Sequence, residues 1–238
     1  MLFLTYNNTG NTDGGGSQMM RILGIYAIAI KYNCVYLRSP MLKIEHCPDN
    51  ETKERWNSLC DVMTPNSVKT CPTLPVVKIQ KVTESDILGR DNVILQILYP
   101  FLIVDKTPDI LYNVKYTTEP IRGVATIHIR RGDAKAELFR MLPDAYYRSI
   151  MCSIKKEKPD IQFHVYSDEP VTLGDDCVYF VNTDPIESIH GLSRGEFLVM
   201  SKSGFSVIAA HMCAGTIVYP PGFWHSPMPH WEMGMNRI

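Results

Sequence analysis

Ile127-His128-Ile129-Arg130-Arg131-Gly132-Asp133 is a β-branched strand that runs directly into two arginines, a glycine and an aspartate. Open α/β sheets place their chemistry at the carboxyl ends of strands, where the chain leaves the sheet for a loop. This strand end offers two guanidiniums, the side chains best suited to fork onto phosphate oxygens. Gly132 allows a turn or a close approach to a ligand, and Asp133 can orient an arginine or cap a helix. The plain alternative is an ion-paired strand end with no ligand.

Outward from this stretch, strands and helices alternate. Val124 to Ile129 reads as a strand. Pro143 to Lys156 reads as a helix, with Leu142, Tyr146, Ile150 and Ile154 on one face. Ile161 to Tyr166 and Val178 to Val181 are strands, Ile186 to Arg194 is helical, and Phe197 to Met200 is a short strand. Phe205 to Cys213 is a helix and Thr216 to Tyr219 a last strand. Such alternation predicts a parallel sheet with helices on both faces. At the amino end, Leu2 to Tyr6 is a strand, Asn7 to Gly16 a polar glycine-rich loop, and Gln18 to Tyr32 a helix capped by Ser17. Val35 to Leu37 follows as a strand. Gly14 to Gly16 are either a flexible turn or a helix start whose amides and dipole favour an anion. Residues 39–75 read as loops with room for a short helix near Trp56, Val76 to Val82 as a strand, and Asp86 to Val104 as mostly helix. Asp105 to Pro120 is the candidate crossing between two domains, 1–115 and 116–238.

The spacing His128-x-Arg130-Arg131-x-Asp133 resembles the His-x-Arg-Arg-x-Asp signature of the α1,2-, α1,6- and protein O-fucosyltransferase superfamily. Ile189-His190-Gly191-Leu192-Ser193 and the run Glu196 to Ser206 are similar to that family's later motif. There a helix leads into an acidic-Phe-Leu-Val strand and a Ser-rich turn. Gly14-Gly15-Gly16-Ser17-Gln18 resembles the glycine-rich first loop, and the three matches lie in the family's order. The resemblance implies an α/β GT-B-like fold in compact form, with two Rossmann-like halves facing a cleft. Residues 1–115 would be the acceptor-side half and 116–238 the nucleotide-sugar-binding half.

The resemblance also implies roles. Arg130 holds the donor's β-phosphate, and Ser203, Gly204, Phe205 and Ser206 form the diphosphate turn. His128, Arg131, Asp133, Ser167 and Asp168 join the donor-binding set with Gly15 and Gly16 of the first loop. For Ser167-Asp168 a helix cap or Asx-turn before Pro170 is an equal alternative. One position departs from the pattern. The family carries an aspartate directly before Ile-His-x-Leu-Ser that reads the guanine amino edge. Ser188 stands there, with Glu187 just before it. Either Glu187 takes the guanine role, or the donor base differs, as in a UDP-linked sugar.

A nucleotide sugar carries charges that need a counter-charge, supplied by a divalent cation or by arginines and helix-terminal amides. The sequence has no convincing Asp-x-Asp; Asp175-Asp176 reads as a solvated turn. Arg130 with the Ser203 to Ser206 helix start is the metal-free alternative, and no cofactor is expected. An inverting transfer needs a base for the acceptor hydroxyl, and Asp13, beside the glycines, is the candidate. The leading expectation is a metal-independent inverting glycosyltransferase moving fucose from GDP-fucose to a glycan hydroxyl. The alternatives are another donor such as UDP-xylose, or a non-catalytic sugar- or nucleotide-binding protein. No glycine loop ends in Gly-Lys-Ser/Thr, which ranks a P-loop phosphotransferase low.

Composition narrows the partners. A formal net charge of −1 argues against a nucleic-acid binder. Seven cysteines without Cys-x-x-Cys spacing give little support to zinc and suit a reducing compartment with mostly buried thiols; Cys47, Cys60 and Cys71 lie where one disulfide is conceivable. No signal peptide and no membrane span are visible, so the expected location is cytoplasmic, as for a bacterial or viral enzyme. The segment Phe223-Trp224-His225 to Pro229-His230-Trp231 suits either sugar stacking or core packing.

Overall fold

Every strand pairing among the described residues is parallel, so each sheet presents all its carboxyl ends along one edge. The computed structural model describes residues 1–6, 13–80, 82–98, 118–136 and 138–238. The chain divides into two compact units, residues 1–115 and 116–238. The expected α/β class is what the structure has.

In the first unit, β1 (Leu2–Tyr6), β2 (Val35–Tyr36), β3 (Val76–Ile79) and β4 (Val93–Ile97) form a sheet in the order β2-β1-β4-β3. Helix α1 (Gly15–Lys31) joins β1 to β2 and is buried almost all round, which is why its sequence is apolar on every face. Its N-cap is Gly14, not Ser17, which sits inside the first turn. Helix α2 (Asn50–Met63) is longer than the short helix expected near Trp56. Asp49 caps it by accepting from the Thr52 N–H at 2.7 Å, and Trp56, Leu59, Cys60 and Met63 form its buried stripe. Where the sequence suggested helix from Asp86 to Val104, a short helix α3 (Glu84–Ile87) stops early and β4 follows. Gly89 and Asn92, with φ of 84° and 52°, break the helix, and the run Val93-Ile94-Leu95 pairs with β1 instead. The expected connection from 105 to 120 falls mostly outside the described residues.

The second unit holds β5 (Ile121–Ile129), β6 (Gln162–Ser167), β7 (Cys177–Val181), β8 (Gly195–Val199), β9 (Thr216–Tyr219) and β10 (Glu232–Met233), in the order β10-β9-β8-β5-β6-β7. Read from β7, that is third, second, first, fourth, fifth and sixth, the order of a dinucleotide-binding sheet. Helices α4 (Asp144–Glu157), α5 (Pro185–Ser193) and α6 (Gly204–Met212) connect the strands. Alternation along β5 sorts its two faces. Ala125, Ile127 and Ile129 pack with Tyr147, Ile150 and Ile154 of α4. Thr126 and His128 bond to the other side: Thr126 donates to the Leu192 carbonyl at 2.7 Å, and His128 meets Ser206 of α6.

All seven cysteines are free, and Cys60 and Cys213 are the two buried ones, fewer than expected. Among the described residues no helix is long and apolar enough to cross a membrane.

One glycine tests the packing of the first unit. A Cβ on Gly15 would lie 2.4 Å from the Trp56 ring. Gly15→Ala should therefore destabilise the protein by about 1–3 kcal/mol, as over-packing of a filled core does. Urea unfolding reads this directly; an unchanged midpoint would mean that the ring yields.

Candidate functional site

In a sheet of this order the chain runs outward from its first strand in both directions, and loops diverge where the direction changes. Here that point lies between β5 and β8. From β5 comes Arg130, and from β8 comes Met200 to Ser203, leading straight into α6.

Ser203 is the N-cap of α6, its Oγ accepting from the Phe205 N–H at 3.2 Å. The first turn of α6 contains no acidic side chain, so its amide dipoles face any anion uncompensated. The Arg130 guanidinium lies against this helix start. Nη1 donates to Ser203 Oγ at 3.4 Å and Nη2 to Asp133 Oδ2 at 2.5 Å. Its Nε is buried and has no hydrogen-bond partner among the described residues. A buried donor without an acceptor is costly, and an anion oxygen at this point would supply one.

Behind Arg130 lies a buried polar group. His128 Nδ1 is 2.5 Å from Ser206 Oγ and 2.8 Å from Ser201 Oγ, and the two hydroxyls are 3.1 Å apart. The Phe205 ring tilts over the imidazole at 5.2 Å. Burial, reinforced by the Arg130 charge, lowers the His128 pKa to about 3, so the ring is neutral. Ser201 is the member of this group that sequence reasoning passed over. Its one signal was position, in the same serine-rich run as Ser203.

The two arginines separate. Arg131 bonds Asp144 at the start of α4 at 2.5 Å and packs over the Tyr147 ring. Its backbone N–H donates to Asp168 Oδ1 at 2.8 Å, and a Cβ on Gly132 would stand 2.6 Å from that carboxylate. Gly132 is therefore bare because Asp168 approaches it. Ser167 Oγ accepts from the Glu169 N–H at 3.3 Å, the local turn that the sequence left as an alternative. Asp168 thus braces the loop that carries Arg130, and Ser167 shapes the turn beside it.

The remaining candidates are spread over both edges of this sheet and the first unit, with Glu187 at the carboxyl edge, where β7 leads into α5. Glu187 is in the first turn of α5, and Ser188 is buried, bonded to the Thr183 hydroxyl at 2.7 Å and the Asp184 carbonyl at 2.8 Å. Glu196 belongs to the opposite, amino edge of the sheet, where it pairs with Lys158 and accepts from the Gly123 N–H. A surface cavity lined by Arg122, Lys158 and Glu196 opens at that edge too. In the first unit, Asp13 is ion-paired with the buried Arg21, and its carbonyl accepts from Gln18 Nε2 at 2.6 Å. Trp56 packs against Gly15, a packing reason for a glycine that the resemblance put in the donor-binding set; Gly16 is buried in the same turn of α1. In the carboxyl segment His225 and Trp231 are buried core, and Trp224 is half exposed.

No protein-family model matches the sequence, and no curated protein matches it. Solved structures do match the fold. POFUT1 in complex with GDP aligns over 88% of this chain and 93% of that chain, with a TM-score of 0.55 and 10% identity. POFUT1 in complex with GDP-fucose aligns over 98% and 97%, with a TM-score of 0.52 and 10% identity. Fucosyltransferase NodZ from Bradyrhizobium aligns more loosely, at a TM-score of 0.38. The chain shares its fold with POFUT1.

The buried histidines make stability depend on pH. Burial lowers His128 and His211 to about 3 and His225 to about 4, with the neighbouring His225 and His230 adding to the effect on His211. All three bind protons more weakly folded than unfolded. Their stabilisation is complete above the ordinary value of 6.5 and is lost as pH falls from there toward 3 to 4. Thermal unfolding should move to lower temperature between about pH 7 and pH 5, above the range where carboxylates titrate. His225→Phe should flatten that dependence; a wild-type profile already flat would contradict it.

Proposed function

We propose that the carboxyl edge of the second unit's sheet holds the diphosphate of a nucleotide sugar, and that the protein is an inverting glycosyltransferase. The observation that carries this reading is the Arg130 guanidinium, set against the start of α6 with its Nε buried and without an acceptor among the described residues. As the glycosidic bond breaks, negative charge accumulates on the leaving nucleoside diphosphate. A fixed guanidinium and helix-terminal amides stabilise that charge without reorganising. Asp133 holds the guanidinium in place, and Arg131 with Asp168 holds the loop. This arrangement works without a divalent cation, and Asp13 remains the candidate base for the acceptor hydroxyl.

The leading donor is GDP-fucose. The sequence resemblance supports it, as does the fold shared with a protein seen in complex with GDP and GDP-fucose. A second donor class, UDP-linked sugars, is favoured by one observation: the Ser188 hydroxyl is already occupied by Thr183 and Asp184. GDP use then rests on Glu187. The first unit is the proposed acceptor-side half, with a glycan as acceptor.

Arg130→Ala should reduce transfer by a factor of about 100–1000, the scale for losing one preorganised charge-stabilising group, and should weaken GDP binding while leaving the circular dichroism spectrum unchanged. Wild-type kinetics in this variant would overturn the site. Calorimetry with GDP and UDP, each with and without EDTA, separates the donors. Tight GDP binding supports fucose transfer, UDP preference replaces it, and activity lost in EDTA but restored by manganese refutes the metal-free mechanism. Nucleotide binding without turnover across a panel of sugar nucleotides would favour the non-catalytic alternative.

A further inference from the structure

The hydroxyls around His128 fix which ring nitrogen carries the proton. Nδ1, Ser201 Oγ and Ser206 Oγ form a closed triangle with sides of 2.5, 2.8 and 3.1 Å, and the Ser201 N–H donates to Ser206 Oγ at 3.1 Å. Ser201 is 1% exposed and Ser206 fully buried, so each hydroxyl hydrogen needs an acceptor inside the protein.

Only one arrangement supplies them. If Nδ1 carried the hydrogen, it would donate to one hydroxyl, and Ser206 Oγ already accepts from the Ser201 amide. The two serines could then satisfy one hydroxyl hydrogen between them, leaving the other without an acceptor among the described residues. If Nδ1 is bare, Ser206 donates to it, and Ser201 donates to Ser206 Oγ or shares Nδ1. Every donor then has an acceptor. The low proton affinity of the buried ring removes the doubly protonated form.

We propose that Ser201 and Ser206 are positioning residues that lock His128 as the Nε2–H tautomer, making Nε2 a fixed hydrogen-bond donor to the bound nucleotide. This rests on the donor-site reading above. Nε2 has no hydrogen-bond partner among the described residues. Arg130 follows two residues along, one position past the end of β5. Ser203 contacts Arg130 and Ser206 contacts His128, so the opening turn of α6 sets both groups.

The test is long-range proton–nitrogen NMR on histidine-labelled protein, with GDP and UDP titrations alongside. The unaltered protein should show His128 protonated at Nε2 and bare at Nδ1 at neutral pH. In Ser206→Ala, where alanine suits the helix, Ser201 still donates to Nδ1 and the tautomer should persist; in Ser201→Ala/Ser206→Ala, the proton should redistribute toward Nδ1. Nucleotide binding should weaken about tenfold, the worth of one buried hydrogen bond. A His128 protonated at Nδ1 in the unaltered protein, or a tautomer unchanged in the double variant, overturns the proposal. So does a shifted tautomer with unchanged nucleotide affinity. If the unaltered protein binds neither nucleotide, the donor-site reading and the ligand role of Nε2 fall together, and the NMR still decides the serine lock.

Discussion

A strand covered on both faces can carry a polar side chain only where the covering layer provides a partner. β5 is such a strand, flanked by β6 and β8. Thr126 and His128 break its apolar run, and each is answered, Thr126 by a carbonyl of α5 and His128 by hydroxyls at the start of α6. Those answers fix where α5 ends and α6 begins. The place of α6 in turn fixes Ser203 beside Arg130. The chemistry at the strand end is therefore a continuation of the packing beneath it.

The paired arginines show how a repeated residue divides its work. Arg131 is tied to α4 through Asp144 and the Tyr147 ring, while its amide is held by Asp168. With that anchor set, Arg130 is left at the sheet edge with Asp133 and Ser203 as partners. An Arg131→Lys change would lose the planar fork against the Tyr147 ring although it keeps the charge.

Much of the second unit was legible in the sequence because its strands are short apolar runs and its helices have clean stripes. β6, α4, α5 and α6 fall close to where periodicity put them. The first unit was less legible, for particular reasons. Val93 to Ile97 is apolar enough for helix or strand, and the deciding element, pairing with β1, is remote in sequence. Helix α2 was hidden by a polar composition in which Trp56, Leu59, Cys60 and Met63 carry the apolar burial. In the candidate site, residue type drew attention to Arg130, and the family resemblance to His128 and Ser203. The resemblance put Gly15 in the donor-binding loop, and nothing in the sequence signalled that a tryptophan forty-one positions along in the chain packs against it. Ser201 was missed because a buried serine bonded to a histidine looks, in sequence, like any other serine.

Asp133 gives the edge of this sheet its own counter-ion. With a carboxylate on the guanidinium and a formal charge of −1 over the whole chain, little positive field extends beyond the site. An anionic ligand of the proposed kind would then be captured on contact and not drawn in from a distance. Its arrival would be governed by diffusion and fit, with weak sensitivity to salt, and discrimination among anions would reside in how long each one stays.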